Sequence, residues 1–252
     1  MGQTRIRSFR QGLKDLRYSG NVRTLLATVA IFLIAQSSFS QKTVSFPTED
    51  GGVVFADVYG SGDRAVLLAH GGRFDKESWA PQAQTLAAVG YEVMAIDFRG
   101  YGKSHGPVDQ TPMDAPLYLD VLAAVRYLHQ TGAKSVSIVG GSMGGAAAGD
   151  ASIASQPGEI DRLVFLGASP NGPAEKLKSP ALFIVARNDA NADGPRLPGI
   201  QEKYDKVTQP KKLIVVEGSV HAQYLFQTDQ AYPIMREIIR WLSKKEEKAA
   251  LP

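Results

Sequence analysis

The chain contains no cysteine in 252 residues. That excludes disulfide staples, thiolate metal sites and a cysteine nucleophile, so covalent chemistry has to rest on another side chain. Histidine is scarce too. The four, at positions 70, 105, 129 and 221, show no H-x-x-x-H or other ligand spacing, which speaks against a metal site. A charge excess of one sign is also missing from most of the chain. Of 28 basic and 25 acidic residues, six basic and one acidic fall within residues 1–40. The remainder carries 22 against 24, and nothing basic enough to grip nucleic acid is left. Finally, Thr24 to Ala35 (TLLATVAIFLIA) is uncharged and almost wholly apolar. It falls short of the roughly 20 residues that a membrane-spanning helix needs.

That apolar stretch has a specific setting. Arg5, Arg7, Arg10, Lys14, Arg17 and Arg23 precede it, and Gln36-Ser37-Ser38-Phe39-Ser40 follow, with small residues before Gln41. Basic, apolar, then small is the order of a secretory signal peptide, cut near Gln41. A secreted or periplasmic mature chain is expected, or else a chain anchored by an uncleaved segment. In either case membrane contact is confined to residues 1–40.

From residue 41 onward short β-branched runs alternate with longer amphipathic stretches. Thr43–Phe46 and Val53–Tyr59 flank Glu49-Asp50-Gly51-Gly52 and read as an edge hairpin. Ala65–Ala69, Tyr91–Ile96, Val136–Val139, Arg162–Leu166, Ala181–Ala186 and Leu213–Val216 read as buried strands. Helices are expected over Pro81–Val89, Asp114–Gln130 and about Gln230–Lys244, where apolar residues recur at helical spacing. The alternation predicts an α/β fold: a mostly parallel, doubly wound sheet flanked by helices, in a single domain over residues 41–252 with its core at 43–243. Only about a dozen residues, Gly167 to Ser179, separate two of the strands. That gap is too small for a helical cap, so little or no cap is expected.

Gly140-Gly141-Ser142-Met143-Gly144 follows the run Val136–Val139 and opens onto Ala146, Ala147 and Ala148. A strand therefore enters a helix through a turn so tight that glycines are needed around the serine, whose hydroxyl is left bare at the mouth of the sheet. A serine hydroxyl is a poor nucleophile until a base takes its proton, and a histidine base works better when a carboxylate fixes its tautomer. In open α/β sheets such groups gather beyond the carboxyl ends of strands. Asp189 follows Ala181–Ala186, and His221 follows Leu213–Val216. Ser142, Asp189 and His221 are thus the catalytic candidates, with Asp193 and Glu217 as competitors for the acid. The oxyanion needs donors. The amide of Met143 and one from His70-Gly71-Gly72-Arg73 are expected to supply them, Gly72 first and Arg73 second. His70 is expected to tie loops together, His105 to lie solvated or near substrate, and His129 to favour a helix end. Arg73 and Arg187, near the expected mouth, hint at an acidic group on the substrate.

These residues, together with Asp97-Phe98-Arg99-Gly100-Tyr101-Gly102-Lys103-Ser104, resemble the α/β-hydrolases, in particular the compact serine esterases, lipases and thioesterases. The resemblance covers about residues 43–243. It implies hydrolysis of a carboxylic ester or thioester of a small acyl substrate through an acyl-serine, with no cofactor and no metal. It also implies that Asp97 and Arg99 brace a loop. Gly141 departs from relatives that carry a larger residue, such as histidine, at this position. Two other readings stay open: the same triad used for perhydrolase, acyltransferase or peptidase chemistry, and a non-catalytic binding protein on this scaffold. A nucleotide-binding protein finds no G-x-G-x-x-G after the first strand to support it.

Overall fold

In the computed structural model, residues 41–108 and 115–244 are described. The expected leader over residues 1–40 lies outside them. The strands form where β-branched and apolar residues run together. β1 (Lys42–Pro47), β2 (Val53–Tyr59), β3 (Arg64–Ala69), β4 (Glu92–Ile96), β5 (Ser135–Gly141), β6 (Leu163–Leu166), β7 (Ala181–Ala186) and β10 (Lys211–Val216) make one eight-stranded sheet. Its order is β1-β2-β4-β3-β5-β6-β7-β10. β1 pairs antiparallel with β2, and β2 antiparallel with β4, as an edge hairpin should. Every pairing from β4 to β10 is parallel. The fold class expected from the alternation is the one observed.

Two apolar layers hold the helices on. Side chains pointing to one face of the sheet, such as Leu67, Met94, Ile138, Phe165 and Phe183, pack with α2 (Leu117–Gln130) and α3 (Met143–Ala154). Alternate residues, such as Val66, Leu68, Val139, Val164 and Ile184, pack on the other face with α1 (Ala80–Ala88) and α5 (Ala231–Leu242). This period-two split follows from the pleat, which sends successive side chains to opposite faces. Among the described residues no separate cap lies over the sheet.

Some boundaries shift. The helix expected from Asp114 is seen from Leu117, and Asp114 itself lies outside the described residues. The last sheet strand starts at Lys211 rather than Leu213. Arg162, expected as strand, precedes it: its guanidinium lies over the Trp241 ring, 5.7 Å from the centroid, and donates to the carbonyl of Lys244. Between β7 and β10 stand a two-rung hairpin, β8 (Ala190–Asn191) with β9 (Gly194–Pro195), and helix α4 (Arg196–Lys206), none of which is among the elements expected from the sequence. Pro198 and Gly199 obscure α4 in the sequence, although proline is tolerated in a first turn.

Candidate active site

Ser142 stands between β5 and α3 with φ 49° and ψ −118°, a region costly for any residue with a Cβ. The neighbouring glycines make the turn possible because backbone approaches backbone. A Cβ on Gly144 would lie 2.3 Å from the carbonyl oxygen of Ala69, and one on Gly140 2.6 Å from that of Gly144. The Ser142 amide donates to the Leu166 carbonyl at 3.0 Å, tying the turn to β6.

His221 Nε2 lies 2.8 Å from the Ser142 Oγ, and His221 Nδ1 lies 2.7 Å from Asp189 Oδ2. A carboxylate only accepts, so Nδ1 carries the proton and Nε2 of the neutral ring is free to accept from the serine. Asp189 is fully buried, whereas the His221 side chain keeps 26% of its exposure. The loops that carry them are stitched together. Arg187 N donates to the Val216 carbonyl and Asn188 N to that of Gly218, so the ends of β7 and β10 are held side by side. The three residues picked from strand ends therefore meet, although 79 positions separate Ser142 from His221.

The competing acids are occupied elsewhere. Asp193 is exposed and hydrogen-bonds Asn191 in the β8–β9 turn. Glu217 is exposed and pairs with Arg187 at 2.8 Å. That pairing also corrects the expectation for Arg187. It is engaged at the surface and does not line the cavity beside Ser142, whereas Arg73 and Arg196 do.

The loop after β3 is clamped. Gln223 Oε1 accepts from the Gly71 amide at 2.7 Å, and its Nε2 donates to the Ser78 hydroxyl. Gly71 is thereby spent as a donor, which leaves Gly72 and Arg73 as the amides to set beside Met143. Met143 opens α3, so its amide has no acceptor inside the helix. The Tyr101 hydroxyl donates to the Gly72 carbonyl at 2.8 Å and touches the Met143 sulfur at 3.9 Å. Burial holds the Tyr101 phenol above its ordinary pKa, so it remains a donor. Gln223 also accounts for Gly141: a Cβ there would come within 3.2 Å of the Gln223 Cγ. Neither Gln223 nor Tyr101 stood out in the sequence. Tyr101 sits inside the D-x-R-G-x-G-x-S stretch, but Gln223 carries no local signal.

The remaining candidates fall outside the chemistry. His70 is buried. Its Nδ1 bonds the Gly71 carbonyl at 2.9 Å and its Nε2 accepts from the Phe98 amide at 3.3 Å, so it ties loops together as expected. Burial pulls its pKa below the ordinary histidine value, keeping it neutral. His105 bonds the Lys103 carbonyl and stays away from the cavity. His129 does more than favour a helix end, for its ring nitrogens reach the carbonyls of Ala133 and Glu159. Asp97 and Arg99 brace loops: Asp97 accepts from the Lys76 amide, and Arg99 bridges Asp50 and Asp120. The Arg99 hydrogen bond holds Asp50 down to about 2, while burial pushes Asp120 up. Among the described residues no three histidines or carboxylates form a group able to hold a metal ion.

A family model for the alpha/beta hydrolase fold matches residues 64–234. The chain is 34% identical over 124 residues to a 2-hydroxy-6-oxononadienedioate/2-hydroxy-6-oxononatrienedioate hydrolase of Burkholderia vietnamiensis, covering 48% of this chain and 42% of that protein. It is 28% identical over 148 residues to a non-heme chloroperoxidase of Streptomyces lividans, covering 58% and 48%. The chain thus spans less than half the length of these curated relatives. Among solved structures, an esterase of Pyrococcus furiosus superposes with a TM-score of 0.64 at 22% identity, over 81% of this chain and 92% of that one. A dienelactone hydrolase of Anabaena variabilis gives 0.65 at 20% identity, over 80% and 96%. At these identities the structural likeness is one of fold.

Proposed function

Because the chain belongs to the alpha/beta hydrolase family, we propose that it is a serine hydrolase that cleaves carboxylic esters or thioesters of a small acyl substrate. His221 Nε2 takes the proton of Ser142, whose Oγ attacks the acyl carbonyl. The tetrahedral oxyanion forms between the amides of Met143 and Gly72, where fixed donors stabilise charge more than mobile water can. The protonated ring gives its proton to the departing alcohol or thiol, leaving an acyl-serine. Water then attacks that ester, with His221 accepting its proton and returning it to Ser142. Asp189 holds the ring in the required tautomer and stabilises its cation.

The observation that carries this reading is the unbroken relay from Ser142 Oγ through both ring nitrogens to Asp189, with 2.8 and 2.7 Å steps. Ser142→Ala is expected to lower kcat on 4-nitrophenyl butyrate by about 10⁴-fold or more while the thermal transition is retained. Undiminished turnover in the variant would refute the assignment. The chloroperoxidase among the relatives favours one second reading, in which hydrogen peroxide replaces water as acyl acceptor. Faster consumption of the ester with peroxide than without, with peracid as product, would support it.

A further inference from the structure

Two cavities meet at Ser142 and Met143, and their charges differ. One, of about 600 Å³, is lined by the acids Asp193 and Glu202 with Lys203, and Arg196 stands in the wall that it shares with the other. The other, of about 1010 Å³, is largely apolar, with Phe74, Met143 and Tyr224 in its wall. Arg73 and Arg196 line it, and no aspartate or glutamate does. Arg73 is exposed and makes no hydrogen bond or ion pair with any described residue. Arg196 spends only its Nε, which faces Asp189 Oδ1 at 3.4 Å. The rest of its guanidinium has no partner among the described residues, and Asp189 is already engaged by His221. Even with Asp189 counted, one cation in this cavity lacks a counter-ion. Water solvates these guanidinium groups while the cavity is open, and a ligand that fills the cavity displaces that water, so beside apolar walls an anionic ligand group compensates them better than an apolar one. The forked guanidinium matches a carboxylate in particular.

We propose that the substrate carries a carboxylate, received in the larger cavity by Arg73 and the free end of the Arg196 guanidinium. The proposal rests on the serine hydrolase reading and narrows its substrate class to acidic esters or thioesters. The carboxylate belongs to whichever part of the substrate enters that cavity, the acyl chain or the alcohol.

Two matched pairs of esters separate these sources. On the acyl side, mono-4-nitrophenyl adipate is compared with 4-nitrophenyl hexanoate; on the alcohol side, 3-(butyryloxy)benzoate is compared with phenyl butyrate. In one pair the anionic ester is expected to have a kcat/KM about tenfold higher, the scale of one charge-assisted contact. Arg73→Gln is expected to erase that ratio and Arg196→Gln to diminish it. Taking the ratio cancels any disturbance of Asp189 by the second variant. Ratios at or below one in both pairs, or a preference that survives both variants, would overturn the proposal. The hydrolase reading fails separately, if no ester is turned over at all. Calorimetric titration of the Ser142→Ala protein with adipate and with 3-hydroxybenzoate, the acids that the two anionic esters release, tests the anion site without turnover. Binding of either that is lost on adding Arg73→Gln supports the proposal, and absence of binding by both overturns it.

Discussion

Gly167 occupies the exit of β6 with φ 57°, and a Cβ there would stand 3.0 Å from His221 Nδ1 and 3.1 Å from Asp189 Oδ2. The space needed by the imidazole–carboxylate pair is thus supplied by a missing side chain. Gly167→Ala is expected to push the pair off its geometry and lower kcat on 4-nitrophenyl butyrate by about 100-fold, the scale of a 1 Å misplacement. Steady-state kinetics on the folded variant would contradict this if kcat were unchanged. At this scale legibility was uneven. Ser142, Asp189 and His221 could be read because each sits just past a recognisable strand, and chemistry needs those residue types together. Gly167, Gln223 and Tyr101 act by filling or vacating space next to residues far away in the chain, and a single sequence carries no mark of such contacts. Arg187 misled for the same reason: its partner Glu217, 30 positions on, could not be seen.

At the scale of elements, the β5–α3 turn depends on helix and strand lying closer than side chains permit. Alanine normally favours a helix over glycine by about 1 kcal/mol. At Gly144 the added methyl would instead meet the Ala69 carbonyl oxygen at 2.3 Å, backbone that cannot step aside. Gly144→Ala is therefore expected to destabilise the protein by about 1–3 kcal/mol, as overpacking does, despite the gain in helix propensity. Chemical denaturation would reveal the sign, and a more stable variant would refute the packing argument. The central strands β3 to β7 were legible because they are nearly continuous apolar runs, buried on both faces. Helix α4 was not, since Ile200 is its one buried residue and Pro198 and Gly199 sit in its first turn. The β8–β9 hairpin, two residues per strand, is too short for any pattern to register.

At the scale of the whole molecule, acid should weaken the fold before the carboxylates titrate. His70 is buried and neutral, and burial is the main cause of its lowered pKa; the Gly71 carbonyl and Asp97 oppose the shift. The unfolded chain therefore takes up a proton near the ordinary value of 6.5 that the folded chain resists. Stability contributed by neutral His70 is present above that value and is lost as pH falls below it. Asp50, held near 2 by Arg99, adds a second loss that begins only below about pH 4. Asp120, raised by burial, opposes that second loss. Melting temperatures should consequently fall between pH 7 and 5, and fall less in His70→Gln; an equal drop in both proteins would place the sensitivity elsewhere.

Acyl transfer at this site requires that the imidazole of His221 make the Ser142 hydroxyl beside it reactive. Labelling the folded protein with a fluorophosphonate, followed by peptide mass spectrometry, measures this without knowledge of the substrate. The label is expected on Ser142 alone and is expected to vanish in His221→Ala. A folded protein that takes up no label, or takes it up equally well without the imidazole, would mean that the hydroxyl is inert and the scaffold serves a purpose other than acyl transfer.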